Sequence, residues 1–71
     1  MTRPAQLPIT TAEREVLQAL ADGAILKALA DERSVSYQCI VRQTAMMRRK
    51  LRANSTEHAV AIGMRTGLIT L

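Results

Sequence analysis

Five cationic side chains fall within eleven residues of one another in the middle of this chain: Arg42, Arg48, Arg49, Lys50 and Arg52. A guanidinium presents a rigid fork of N–H donors that matches phosphate and the O6/N7 edge of guanine, whereas an ammonium acts as a compact point charge. The chemistry on offer is anion neutralisation and bidentate recognition, not bond-making. Spacing arranges these groups on a helix. Tyr37, Ile40, Thr44, Met47 and Leu51 recur at intervals of 3, 4, 3 and 4 and form one stripe that should face a core. Gln38, Arg42, Ala45, Arg49 and Arg52 keep the same rhythm on another side. Arg48 and Lys50 fall on the flanks near the C-terminal end, where cations also complement the helix dipole.

The remaining polar residues offer little else. Glu13, Glu15 and Asp22 read as helix-start and surface charges, not as a catalytic pair. His58 has no Cys or carboxylate at metal-ligand spacing and reads as a solvent-facing residue. Cys39 lacks a nucleophile context and reads as a small packing residue, and Met46 and Met47 read as core fillers. The three glycines are isolated, so no phosphate-binding loop forms. The expectation is a protein that is not an enzyme and uses neither metal nor cofactor. A basic helix face is also what a merely solvated helix displays, so its setting in the chain matters.

Seventy-one residues suffice for one domain. A chain of this size buries only about 60% of the surface its unfolded form exposes, so the core is small and dimerisation helps. Ten Lys/Arg against six Asp/Glu give a net charge of +4, a balance that favours polyanionic partners. Tyr37 is the sole aromatic residue, which argues against single-strand and RNA binders that stack bases on aromatic platforms. A single cysteine suits a reducing cytosol, the start "MTRPAQLP" has no apolar signal region, and no apolar run approaches the ~20 residues needed to span a bilayer. A cytoplasmic, nucleoid-associated protein without membrane contact is expected.

The elements that must position the basic helix are a short arm and four helices. Residues 1–8 hold two prolines and no periodicity, and read as a flexible arm before a domain at 9–71. Thr10–Glu13 spells a capping box, and Gly23 supplies a left-handed stop, so the first helix spans about Thr11–Asp22 with Val16, Leu17, Leu20 and Ala21 on one face. The second, about Lys27–Arg33, has no polar cap because Ala24, Ile25 and Leu26 precede it. Ser34–Ser36 breaks the pattern, and Ser36 caps a third helix that runs to about Arg52. Ser55 caps a fourth, about Thr56–Thr66, ending at Gly67 before an apolar tail of Leu68, Ile69 and Leu71. Two short helices, a three-residue connection and a longer basic amphipathic helix describe a helix-turn-helix.

The ordered set Ile9-Thr10, Glu13-Arg14-Glu15-Val16-Leu17, Ala21, Gly23, Lys27, Leu29 and Ala30 resembles the opening of the LuxR/GerE-type DNA-binding domain. Ser36, Met47, Lys50-Leu51, Ser55, Ala59 and Gly67-Leu68-Ile69 continue the likeness over about Ile9–Ile69. The resemblance implies an all-α, four-helix helix-turn-helix domain, free-standing like the spore regulator GerE. It implies a transcriptional regulator that binds double-stranded DNA, with a recognition helix at about 36–52 in the major groove. Gln38, Arg42 and Ala45 would then sit near base edges, while Lys27, Arg48, Arg49, Lys50 and Arg52 hold phosphates. It also implies a homodimer through the fourth helix, with Val60, Met64 and Leu68 as contacts.

Three departures are specific. Where the family's recognition helix begins T-V-K-x-H, this chain has Cys39-Ile40-Val41-Arg42-Gln43, so the usual Lys is Val41 and the usual His is Gln43. Arg33 stands where an apolar residue is usual, and Ile25-Leu26 replace a polar pair. The alternative reading is a protein-interaction or decoy module that uses the same fold to bind another regulator through Ile25 and Leu26.

Overall fold

Thr10 and Glu13 set the start of the first helix by exchanging hydrogen bonds. The Glu13 N–H donates to Thr10 Oγ1 (3.1 Å), and the Thr10 N–H donates to Glu13 Oε1 (2.9 Å). The computed structural model describes residues 9–70; the expected arm at 1–8 and Leu71 lie outside the described residues. Within them the chain forms four helices and no strand: α1 Thr11–Ala21, α2 Leu26–Arg33, α3 Tyr37–Leu51 and α4 Thr56–Arg65. Each boundary lies within a residue of its sequence expectation. Ser36 and Ser55 cap α3 and α4, accepting from the N–H groups of Cys39 and His58. The N-cap position of α2 is Ile25, which supplies no side-chain bond.

All four helices end the same way. A left-handed residue follows each, and the next N–H reaches back five residues. Ala24 donates to the Ala19 carbonyl, Val35 to Ala30, Ala53 to Arg48 and Leu68 to Gly63. The left-handed residues are Gly23, Ser34, Arg52 and Gly67, with φ of 99°, 57°, 57° and 79°. Glycine takes this conformation freely, but Ser34 and Arg52 bear a Cβ there and are strained.

Packing divides the interior into two clusters that share α1 and α3. Val16, Leu29, Ala30 and Ile40 join α1 and α2 to the N-terminal half of α3. Leu17, Met47, Leu51, Ala59 and Ile69 join α1 and α4 to its C-terminal half. Helices α2 and α4 therefore flank a central α1–α3 pair. Of the expected α3 stripe, Ile40, Thr44, Met47 and Leu51 are buried. Thr44 satisfies its hydroxyl by donating to the Ile40 carbonyl (2.9 Å). Tyr37 departs from the expectation: in the first turn of α3 it is 53% exposed. Ile69, from the expected apolar tail, is buried and seals the second cluster. Gly63 in α4 is buried against Leu17 and Ile69, and no larger side chain fits there without displacing them.

Candidate functional site

Burial of Ile40, Thr44, Met47 and Leu51 fixes the rotation of α3 and turns the opposite side to solvent. Gln38, Arg42, Arg49 and Arg52 are all exposed there, and Ala45 is half-buried among them. Arg42 and Arg49 are two helical turns apart, about 10 Å along the axis at 1.5 Å per residue. The face is graded along its length. Its N-terminal half carries Gln38 and Arg42 beside the exposed Tyr37 and Val41. Its C-terminal half carries Arg49, then Arg52 at the cap, beside Met46, which is exposed and not the core filler its sequence suggested. Lys27 is also exposed, on α2, and lines a shallow open cavity of about 380 Å³ with Ala30, Asp31 and Tyr37. Four of the five residues expected to hold phosphate, Lys27, Arg48, Arg49 and Arg52, take no part in the Arg33–Glu15 and Lys50–Glu13 ion pairs of the described residues.

Lys50 is placed differently from its sequence expectation. Its Nζ lies 2.8 Å from Glu13 Oε1, and both side chains are about nine-tenths buried. Glu13, expected on the surface, is instead an interior carboxylate that caps α1 and anchors the last turn of α3. Burial opposes its ionisation, but hydrogen bonds from Lys50 and the Thr10 N–H, with the Lys50 charge, outweigh that and hold its pKa below the ordinary value. Lys50 is therefore a support for the basic helix, already matched to an anion inside the protein. Arg48 is half-buried with its Nε sealed from solvent, which leaves its terminal nitrogens for any outside contact. Gln43 is half-buried too, with a buried Oε1 that has no partner among the described residues.

The other singled-out residues resolve as follows. Arg33 reaches back to Glu15 on α1 (Nη2 to Oε1, 3.4 Å), so its charge is directed outward from the core into a cross-helix pair. His58 does more than face solvent: its Nδ1 accepts from the Asn54 N–H (3.0 Å) and tightens the α3–α4 connection. Ile25 is 66% exposed, whereas Leu26 packs partly against the Val16 cluster. On α4, Met64 is exposed between the half-buried Val60 and Leu68. Among the described residues no three His, Cys, Asp or Glu side chains gather as metal ligands would, and no helix is long and apolar enough to cross a membrane.

No protein-family model and no curated protein matches this chain. The functional reading therefore rests on the geometry of α3 and its supports.

Proposed function

We propose that this protein is a helix-turn-helix regulator of the LuxR/GerE type that binds double-stranded DNA through the major groove. The observation that carries the proposal is the solvent face of α3: Gln38, Arg42, Arg49 and Arg52 stand exposed opposite a stripe buried against the rest of the fold. A B-form major groove about 12 Å wide admits such a helix, and recognition helices contact base edges with their N-terminal residues. Gln38, Arg42 and Ala45 are then the base-reading set. Arg49, Arg52, Arg48 and Lys27 hold phosphates, and Lys50 supports α3 through Glu13.

Binding selection from random duplexes, followed by salt titration, tests this. Arg42→Ala should cost about 1–3 kcal/mol on the selected site and relax its base preference. Arg49→Ala should weaken all sequences alike and flatten the salt dependence by about one unit. Arg52→Gly separates binding from folding. It removes a phosphate contact yet relieves the left-handed strain, so stability should rise by about 1 kcal/mol while DNA affinity falls. Absence of duplex binding by the wild type at low salt would end the DNA assignment.

The same reading calls for a two-fold dimer through α4, as two half-sites require. Met64, exposed between Val60 and Leu68, is the centre of that surface. Sedimentation at micromolar concentration should show a dimer, and Met64→Glu should give monomers. A wild type that stays monomeric both free and on DNA contradicts this part.

A second reading, capture of another regulator, is favoured by one observation, the exposure of Ile25. Leu26 contributes less than expected because it already packs against the core.

A further inference from the structure

Val41 is 40% exposed in the middle of α3 and belongs to neither core cluster. A β-branched residue lowers helix propensity, and two-fifths of its surface here is left in water. What a helix does confer on valine is stiffness, since one χ1 rotamer dominates. Its two methyl groups are therefore held at a fixed position without further ordering. Arg42 is the next residue, and Ala45 lies one turn on. Phosphate and sugar offer nothing for such a side chain to recognise. On the base edges of the major groove the one apolar group is the 5-methyl of thymine.

We infer that Val41 reads thymine. Its side chain packs against the 5-methyl group of a thymine beside the base pair addressed by Arg42, so that the site couples a methyl contact to a bidentate one. This deepens the duplex-binding reading and rests on it. The position of Val41 agrees: it lies in the N-terminal half of α3 with Gln38 and Arg42, the half by which recognition helices meet base edges, whereas the exposed Met46 lies in the half that carries Arg49.

Deoxyuridine differs from thymidine only by that methyl, which supplies the test. In the selected duplex each thymine is replaced in turn by deoxyuridine, and affinity is measured for the full chain. One thymine, next to the base pair at which Arg42→Ala loses its preference, should lose about three- to fivefold, the worth of one buried methyl. Against Val41→Ser the same probe should bind as well as the unmodified duplex, and Val41→Ile should keep the wild-type loss. Thermal melting of both variants should match the wild type, because the side chain is outside the core. Full affinity for every deoxyuridine probe, with the unmodified duplex still bound, overturns the inference and leaves the DNA reading intact. So does a loss that persists unchanged in Val41→Ser. Failure of the wild type to bind any duplex at low salt overturns both.

Discussion

Lys50→Ala will cost about 3–5 kcal/mol of folding stability, the range for removing one partner from a buried ion pair. The reason is the carboxylate left behind. Glu13 stays buried in the first turn of α1, with Thr10 as a partner but without the ammonium 2.8 Å away. Urea denaturation measures the loss, and one below about 1 kcal/mol would contradict a structural role for the pair. The double change Glu13→Gln with Lys50→Met should recover much of the stability, because it removes both charges, keeps similar volume and preserves an acceptor for the Thr10 N–H. The pH dependence has a definite sign. Glu13 has a depressed pKa in the folded state, so its contribution is present above about pH 4.3, the ordinary glutamate value, and is lost as pH falls through the folded value. In Lys50→Ala this acid-sensitive part should shrink. On the proposed duplex-binding reading, DNA affinity should fall only as far as the folded fraction does.

Gly63→Val is expected to be about as damaging, near 3 kcal/mol, at the upper end of ordinary overpacking. A Cβ built at Gly63 would lie 2.8 Å from Leu17 Cδ2 and 3.0 Å from Ile69 Cγ1. Leu17 is fully buried and Ile69 nearly so, so neither can swing outward without opening the second cluster. Gly63→Ala faces the same contacts but gains about 1 kcal/mol of helix propensity, and should be milder. Ile69→Val, combined with Gly63→Val, should restore part of the loss, giving a favourable coupling in a double-mutant cycle. Chemical denaturation of the four proteins is decisive: a Gly63→Val chain as stable as the wild type would mean that α4 shifts away freely.

Much of this architecture was legible in local chemistry. Thr10 with Glu13, Ser36 and Ser55 announced three helix starts, because a side-chain acceptor must satisfy orphan N–H groups. Gly23 and Gly67 announced two stops. The stripe of Ile40, Thr44, Met47 and Leu51 gave the rotation of α3, and with it the exposed Arg42 and Arg49. The stops at Ser34 and Arg52 were harder to see, since no glycine marks their left-handed geometry. Tyr37 was misplaced because periodicity reports a direction around the helix and not whether a neighbour covers that end. Glu13 and Lys50 are 37 residues apart, and each has a sufficient local explanation, as a cap and as a dipole partner. Only the packing of α1 on α3 brings them together. The one sequence signal for Gly63 was its place inside an otherwise helical run, where glycine is costly unless something packs against it.

The two bonds between Gln18 and Thr70 bear on what residue 18 can be. The Gln18 amide donates from Nε2 to the Thr70 carbonyl, and its Oε1 accepts from the Thr70 N–H (3.1 Å), 52 positions along the chain. A side-chain carboxamide is here imitating a neighbouring backbone, offering donor and acceptor together. Asparagine has the same groups one methylene short of the reach. Ionised glutamate has the length but only acceptors, and would set negative charge against a carbonyl. Methionine fills the space and bonds to neither group. At position 18, half-buried on a short helix and with no part in the proposed interface, glutamine alone supplies both groups at that reach. The vocabulary of this position is tighter than that of most core sites, where one aliphatic side chain can often stand in for another.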